Sequence, residues 1–493
     1  MTPQYNKTYL LGGLLCGIVF TALLMLRMDF LPLAENPPPI AANLPAGSLE
    51  PGERWMNILQ GDRKIGTTHS QLEQLADGYR LTEKVSMRIN TMGLVQDLSL
   101  DSRGWLKADL TLERFTFVMR SGLFAFTAHG QVEDNTLVCR IETSGEERRL
   151  RLPLDTPPYL PAGILAAAAQ AGLVQGERRS FPIFDPSTMS LETIALTMQG
   201  LEAIDIGGRK VDGLRVTLAF KGVSQDAWLD DDGQILMEKG LLGIRQVKVS
   251  REEALFGMPL AASGDLTEAA AVIPDRELPD TAKLVRLTLQ LDGIDPGQYH
   301  LDDGRQRLEG NRLILTRENL DDIPTSFTGD ALPPDIRRHL EPSAFVSSDH
   351  PDIMALAAEL VDPEDTPLAN LRRLVAWMQA NIERRPVLSL PDALTTLKNR
   401  MGDCNEHAVL LAALARAAGY PAQVEAGLVY HEGRFFYHAW NRIYIGRWIT
   451  VDALFDQIPA DVTHVRFARG TAQQQLDILP LLGNLRIRIV DIE

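Results

Sequence analysis

Cysteine is scarce in this chain: three among 493 residues, Cys16, Cys139 and Cys404, each in a different segment. No disulfide framework can be read from that spacing. Basic clusters are missing as well. Asp and Glu number 65 against 49 Lys and Arg, a net charge of −16, and no stretch is built to track a phosphate backbone. Nucleic acid is therefore not an expected partner. The nine histidines form neither an HExxH pair nor a Cys/His cluster, so neither a metal nor a cofactor is expected. With 23% charged and 45% hydrophobic residues, global disorder is excluded, and the length exceeds one ordinary domain.

One long hydrophobic run is present. Residues 9–26, "YLLGGLLCGIVFTALLML", carry no charge over 18 positions, enough to cross a bilayer as a helix. Lys7 precedes the run, and Arg27 and Asp29 follow it, a weak asymmetry that favours a cytoplasmic start. A cleavable signal peptide is the rival reading, but no A-x-A site follows. Leu14 and Leu15 before Cys16 do not make a lipoprotein cleavage box. The expectation is an uncleaved anchor over 1–31 in the inner membrane, with the bulk of the chain on the periplasmic side.

A Pro- and Ala-rich spacer follows at 32–52. The domain over 53–272 reads as β: "LTLERFTFVM", "LFAFTAHGQV" and "GLRVTLAF" alternate or carry β-branched and aromatic residues. One helix, "PAGILAAAAQAGLVQG", interrupts it. "DDDG" at 230–233 lacks the acids an EF-hand needs, since 228 is Trp and 239 is Lys, so a hairpin turn is expected. A small β module spans 273–338.

From 339 to 493 the period turns helical and then returns to β. "DIMALAAELV" and "LANLRRLVAWMQANI" are amphipathic helices, and a short one is expected near 391–399. In "GDCNEHAVLLAALARAAGYPAQ" Asp403 is a natural N-cap, while Gly419 and Pro421 end the helix. Cys404 then occupies the first helical position, where unpaired N–H groups favour a thiolate. Most free cysteines are small core residues, and that reading stands beside the nucleophilic one. Strands "AQVEAGLVY", "RFFYHAWNRIYI" and "WITVDALF" come next, an α+β arrangement carrying His438 and Asp452.

Parity decides whether His438 and Asp452 meet. A three-residue turn over Ile445–Arg447 sets Asp452 opposite Trp440 and puts His438 on the same face, diagonal to the acid. A two-residue turn would set Asp452 opposite Asn441 and His438 on the other face. Singly, each residue has an ordinary explanation: a core histidine, the acid at a strand end. Together they are the types for a nucleophile, a base and an orienting acid.

These segments, with "PADVTHVRF", resemble the transglutaminase-like (transglutaminase/cysteine protease) superfamily of bacteria. The resemblance covers roughly 340–493 and implies a papain-like core with Cys404 as nucleophile, His438 as base and Asp452 as orienting acid. Arg442 stands where family members commonly carry an acid, and "DAL" replaces the usual "DPT". The family tolerates an aromatic residue at His407, which points to packing there. Asp461 and His464 either line the cleft or form a surface turn, and Trp440 either walls the cleft or packs. The implied activity is cysteine-dependent amide hydrolysis or acyl transfer on protein or peptide substrates through a thioester. Hydrolysis is favoured slightly, because water needs no dedicated site. The alternative is a catalytically silent binding or assembly protein of the envelope. The β-rich region resembles the N-terminal extensions of such envelope proteins and implies no activity.

Overall fold

The computed structural model describes residues 51–493 except 123, 144, 172, 231, 257–259, 327–331 and 471. The apolar run at 9–26 and nearly all of the spacer lie outside the described residues. No helix among the described residues is long and apolar enough to cross a membrane. The chain divides into two compact units between Leu266 and Thr267.

Alternation of apolar and polar residues, which puts successive side chains on opposite faces, builds the first unit. Among its described residues fourteen antiparallel strands, from Gly52 to Val249, make one sheet. In space the eighth strand leads back step by step to the first. The first pairs with the fourteenth, which leads back to the ninth. The outer strands are therefore Glu146–Pro153 and Arg178–Asp185. The sheet curls: Leu112 N–H donates to Pro158 O (2.7 Å) and Tyr159 N–H to Pro182 O (2.8 Å). That brings the Phe115 and Phe184 rings within 4.9 Å across the interior. The one expected helix is a 3₁₀ turn, Pro161–Gly163, running into α1 (Ile164–Gln170). "DDDG" turns a hairpin, with the Asp230 carboxylate accepting Gln234 N–H at 2.7 Å.

Among its described residues the second unit has two four-stranded sheets, a short parallel pairing of Glu383–Arg384 with Met401–Gly402, and a helical layer. One sheet is ordered β2 (Gln306–Glu309), β3 (Arg312–Thr316), β1 (Arg286–Asp292), β8 (Arg486–Ile492). The small β module read at 273–338 thus shares its sheet with the last strand of the chain. That pairing joins segments almost 200 residues apart, which no local pattern announces. The other sheet is ordered β6 (Trp448–Val451), β5 (Arg434–Tyr444), β4 (Ala422–His431), β7 (Val465–Arg469). Against it lies α5 (Cys404–Ala417), and α2 (Pro351–Leu360), α3 (Pro367–Asn381) and α4 (Ala393–Asn399) pack on α5.

Helix α5 is buried from Cys404 to Ala415. A helix apolar on nearly all sides belongs in a core. Asp403 caps it, accepting Asn405 N–H (3.2 Å), while Glu406 reaches back to Asp403 N–H (3.1 Å) in a capping box. At its far end Gly419 has φ +86°, and Tyr420 N–H closes on Ala415 O at 2.8 Å. Gly402 permits the tight entry, because a Cβ there would lie 2.2 Å from Glu406 Cβ.

Candidate functional site

The β5–β6 link decides the parity left open by the sequence. Tyr444 pairs with Trp448 and Asn441 with Val451, so Ile445–Arg447 form a three-residue turn. His438 and Asp452 therefore share a face, and His438 Nε2 lies 2.6 Å from Asp452 Oδ2. Both are buried, at 0% and 1% side-chain exposure. Asn441, on the opposite face, donates Nδ2–H to Ala408 O at 2.9 Å and fixes β5 against the start of α5.

Asp452 is a fully satisfied carboxylate. Oδ1 accepts the N–H groups of Leu454 (2.7 Å) and Phe455 (3.0 Å). Oδ2 accepts from His438 and also from His464 Nε2 at 2.9 Å. Those two imidazoles hold the carboxyl far below its usual range despite burial. With His438 Nε2–H donated to Asp452, the ring's Nδ1 is a bare acceptor. It is buried and has no hydrogen-bond partner among the described residues. Burial pushes the His438 pKa down against the pull of Asp452, so the ring is neutral at pH 7. Phe455, partly exposed, lies 5.1 Å from the ring, and Trp440 stacks on it at 6.0 Å.

His464 and Asp461, left open between cleft and surface turn by the sequence, belong to this cluster. Both are buried. His464 Nδ1 lies 3.2 Å from Asp461 Oδ1, and Nε2 faces Asp452. A carboxylate only accepts, so both nitrogens donate and the ring is an imidazolium. Its two acids raise its pKa to about 9 against the burial penalty. Asp461 is itself held by Thr463 N–H (2.8 Å) and Oγ1 (2.6 Å). The signal for this pair was the Asp-x-x-His spacing just before β7. What sequence could not show is the strand pairing that turns it inward. Gly427, opposite His438 on β4, makes that pairing close: a Cβ there would sit 2.0 Å from Val465 O.

Arg305 backs the same loop from the β module. Its guanidinium donates to the carbonyls of Ala460, Asp461 (2.8 Å) and His464 (3.0 Å). Nothing local in the sequence marks it.

Cys404 stands at the first position of α5 and is buried, with no disulfide. Beside it, burial and the neighbouring Glu406 push the Asp403 carboxyl well above its usual range. His407 donates Nδ1–H to Asp403 O at 2.7 Å, and its Nε2 is buried without a partner among the described residues. Burial lowers its pKa to about 4, although the Asp403 carbonyl and the Asp452 charge pull the other way. It packs at the helix start.

Three ligand-type atoms, on His438, Asp452 and His464, lie within 4.8 Å of one another, the spacing of a metal site. Both imidazole Nε2 atoms carry protons toward Asp452 in this arrangement, and His464 is a cation. A metal would have to displace both protons. The donor set therefore fits a proton-holding chain better than an ion.

Residues 354–453 match the Transglutaminase-like superfamily. The chain contains a transglutaminase-like domain. The match spans Cys404, His438 and Asp452 and ends before His464. No curated protein matches the sequence. Among solved structures, the periplasmic domain of TgpA from Pseudomonas aeruginosa, bound to ethylmercury, is 19% identical. It covers 39% of this chain and 94% of its own, with a TM-score of 0.26. A beta-barrel-like protein of a domain of unknown function from Brucella abortus is 15% identical. It covers 41% of this chain and 97% of its own, with a TM-score of 0.33.

Proposed function

We propose that the transglutaminase-like domain has a papain-like core and is a cysteine-dependent amide hydrolase or acyl-transferase acting on protein or peptide carboxamides. The supporting observation is the His438 ring, which gives Nε2–H to Asp452 and keeps a bare, buried Nδ1. In the reaction Nδ1 takes the Cys404 thiol proton while the sulfur attacks the carbonyl carbon. The carbon–nitrogen bond then breaks, and the leaving amine takes that proton from His438. A thioester on Cys404 remains. Water or a second amine attacks it, passing a proton to His438, and the acid or new amide leaves as the proton returns to sulfur. The Cys404 backbone N–H, at the open end of α5, is one donor to the oxyanion. The uncharged run at 9–26 and its spacer support an anchored, extracytoplasmic body.

Complete burial of Cys404 and His438 favours a second reading, a silent transglutaminase-like cleft that only binds. Incubation with a glutamine-containing peptide, with and without a primary amine, separates the two. Acid-quenched mass spectrometry is expected to find an acyl adduct on Cys404, with carboxylate or amine-exchanged product accumulating. No adduct and no product in either mixture would leave the silent reading.

His464 acts in this scheme as a positioning residue, pinning Asp452 from behind. Turnover is expected to fall as pH rises through about 9, because deprotonated His464 can keep only one of its two hydrogen bonds. The sign for stability is the same. The folded pKa of about 9 lies above the ordinary 6.5, so the contribution is complete below 6.5 and is lost between these values. His464→Gln should lower kcat about 10- to 100-fold with KM little changed, and should remove the alkaline limb near 9. An unchanged pH profile in that variant would refute the positioning role.

A further inference from the structure

Beyond Trp440 on the same face of β5, the second unit carries a cavity of about 400 Å³. Six of its lining residues are arginines: Arg305, Arg317, Arg442, Arg447, Arg466 and Arg469. The acids lining it are Asp303, Glu318 and Glu425. Six guanidinium groups against three carboxyls leave an excess of three positive charges in a chain whose net charge is −16. The pocket is therefore not a sample of the surface at large.

Main-chain carbonyls hold several of these arginines, and the carboxyls that they meet are shared among them. Arg305 is spread over the carbonyls of Ala460, Asp461 and His464, with Glu318 4.0 Å away. Arg466 bonds the carbonyls of His300, Leu301 and Asp303, and its Nε lies 3.5 Å from Glu425, the acid it shares with Arg469. A carbonyl orients a guanidinium but leaves its charge for something else to meet. Arg469 takes Glu425 at 2.7 Å, and Asp303 is shared between Arg469 and Arg442. Arg442 also lies over the Trp448 ring, 4.3 Å from its centroid. Neighbouring groups register the field. Glu425 is held below its usual range although fully buried, chiefly against burial by Arg469, Arg466 and Arg442. His339, edge-on to Trp448 at 5.8 Å, is pushed down to about 4 by burial and by the arginines around it.

We propose that this cavity is a binding site for a small oxyanion, a ligand carrying carboxylate or phosphate groups, distinct from the Cys404–His438–Asp452 centre. Planar guanidinium forks around a concave site suit bidentate recognition of such groups, and Trp448 lines the same cavity. Arg442 is four residues from His438 along β5, about 13 Å at strand spacing, so the ligand does not occupy the reacting position. Trp440, between them, gives Nε1–H to Glu425 at 2.9 Å. The proposal stands whether or not Cys404 turns substrate over.

Calorimetric titration of the whole protein at low salt, with citrate in one arm and inorganic phosphate in the other, tests it and tells the two sources apart. One saturable site is expected, with millimolar or tighter affinity weakening as salt is added. Arg442→Gln and Arg447→Gln should each weaken binding about tenfold, the loss of one charge-assisted contact. Arg447 is a 40% exposed hairpin residue, so its variant decides the matter if Arg442→Gln unfolds. Arg488→Gln, on β8 and outside the cavity, should bind as the parent does. Cys404→Ala should also bind unchanged, which separates this site from the proposed reaction. Absence of saturable binding for both anions, or equal binding in Arg447→Gln and the parent, would overturn the proposal.

Discussion

Cys404→Ala is expected to abolish turnover, a fall of at least about 10⁴-fold, with the unfolding midpoint nearly unchanged. The rate loss follows because no other group can carry the acyl chain. The fold should survive for local reasons. The capping box joins Asp403 and Glu406 and does not use the thiol, and Glu406 is further fixed by Ser389 Oγ at 2.6 Å. Alanine is the best helix former and differs from cysteine by one buried sulfur. Covalent labelling of position 404 should vanish with the activity. Cys139 offers no competing signal, since it is buried in the strand sheet and its thiol is pushed up to about 12. Peptide mapping after alkylation, alongside thermal unfolding and a rate assay, checks all three expectations. Retained turnover in this variant would remove Cys404 from the chemistry.

Asp452→Asn is expected to cost about 10³- to 10⁴-fold in rate and to lower the unfolding temperature as well. Four N–H groups converge on this carboxylate, two on each oxygen. An asparagine must place its NH₂ on one side or the other, so two donors face a donor whichever way the amide lies. If the amide faces the imidazoles, His438 loses its acceptor and the tautomer that keeps Nδ1 bare. If it faces the main chain, the turn after β6 loses its anchor. The acid also stabilises the imidazolium that forms at His438, and a neutral amide cannot. A rate close to the parent's would mean that the charge at 452 does not support His438.

The local grammar of this chain was readable where it rests on neighbours in sequence. Asp403, Gly419 and Pro421 mark the ends of α5, and runs of aromatic and β-branched residues mark β5, which carries His438, and β6, which leads to Asp452. The parity of those strands was open between two turn lengths, because residues 445–447 do not themselves choose between them. Tertiary pairing chose. The rest depends on contacts between distant segments. The first strand meets the fourteenth, and β8 joins β1, through backbone bonds that leave no residue pattern. His464 stayed open between cleft and surface turn because its burial comes from β7 docking beside β4 at Gly427 and from Arg305, 159 positions earlier. The transmembrane expectation at 9–26 lies outside the described residues.

The most direct test of the central claim is the pH dependence of iodoacetamide alkylation at Cys404, read by peptide mass spectrometry in the parent and in His438→Ala. If His438 Nδ1 takes the thiol proton, the parent should react readily at neutral pH. The variant should react slowly there and accelerate only as pH approaches that of an ordinary thiol, about 8.5. Identical profiles in the two proteins, both rising near that ordinary value, would contradict the account.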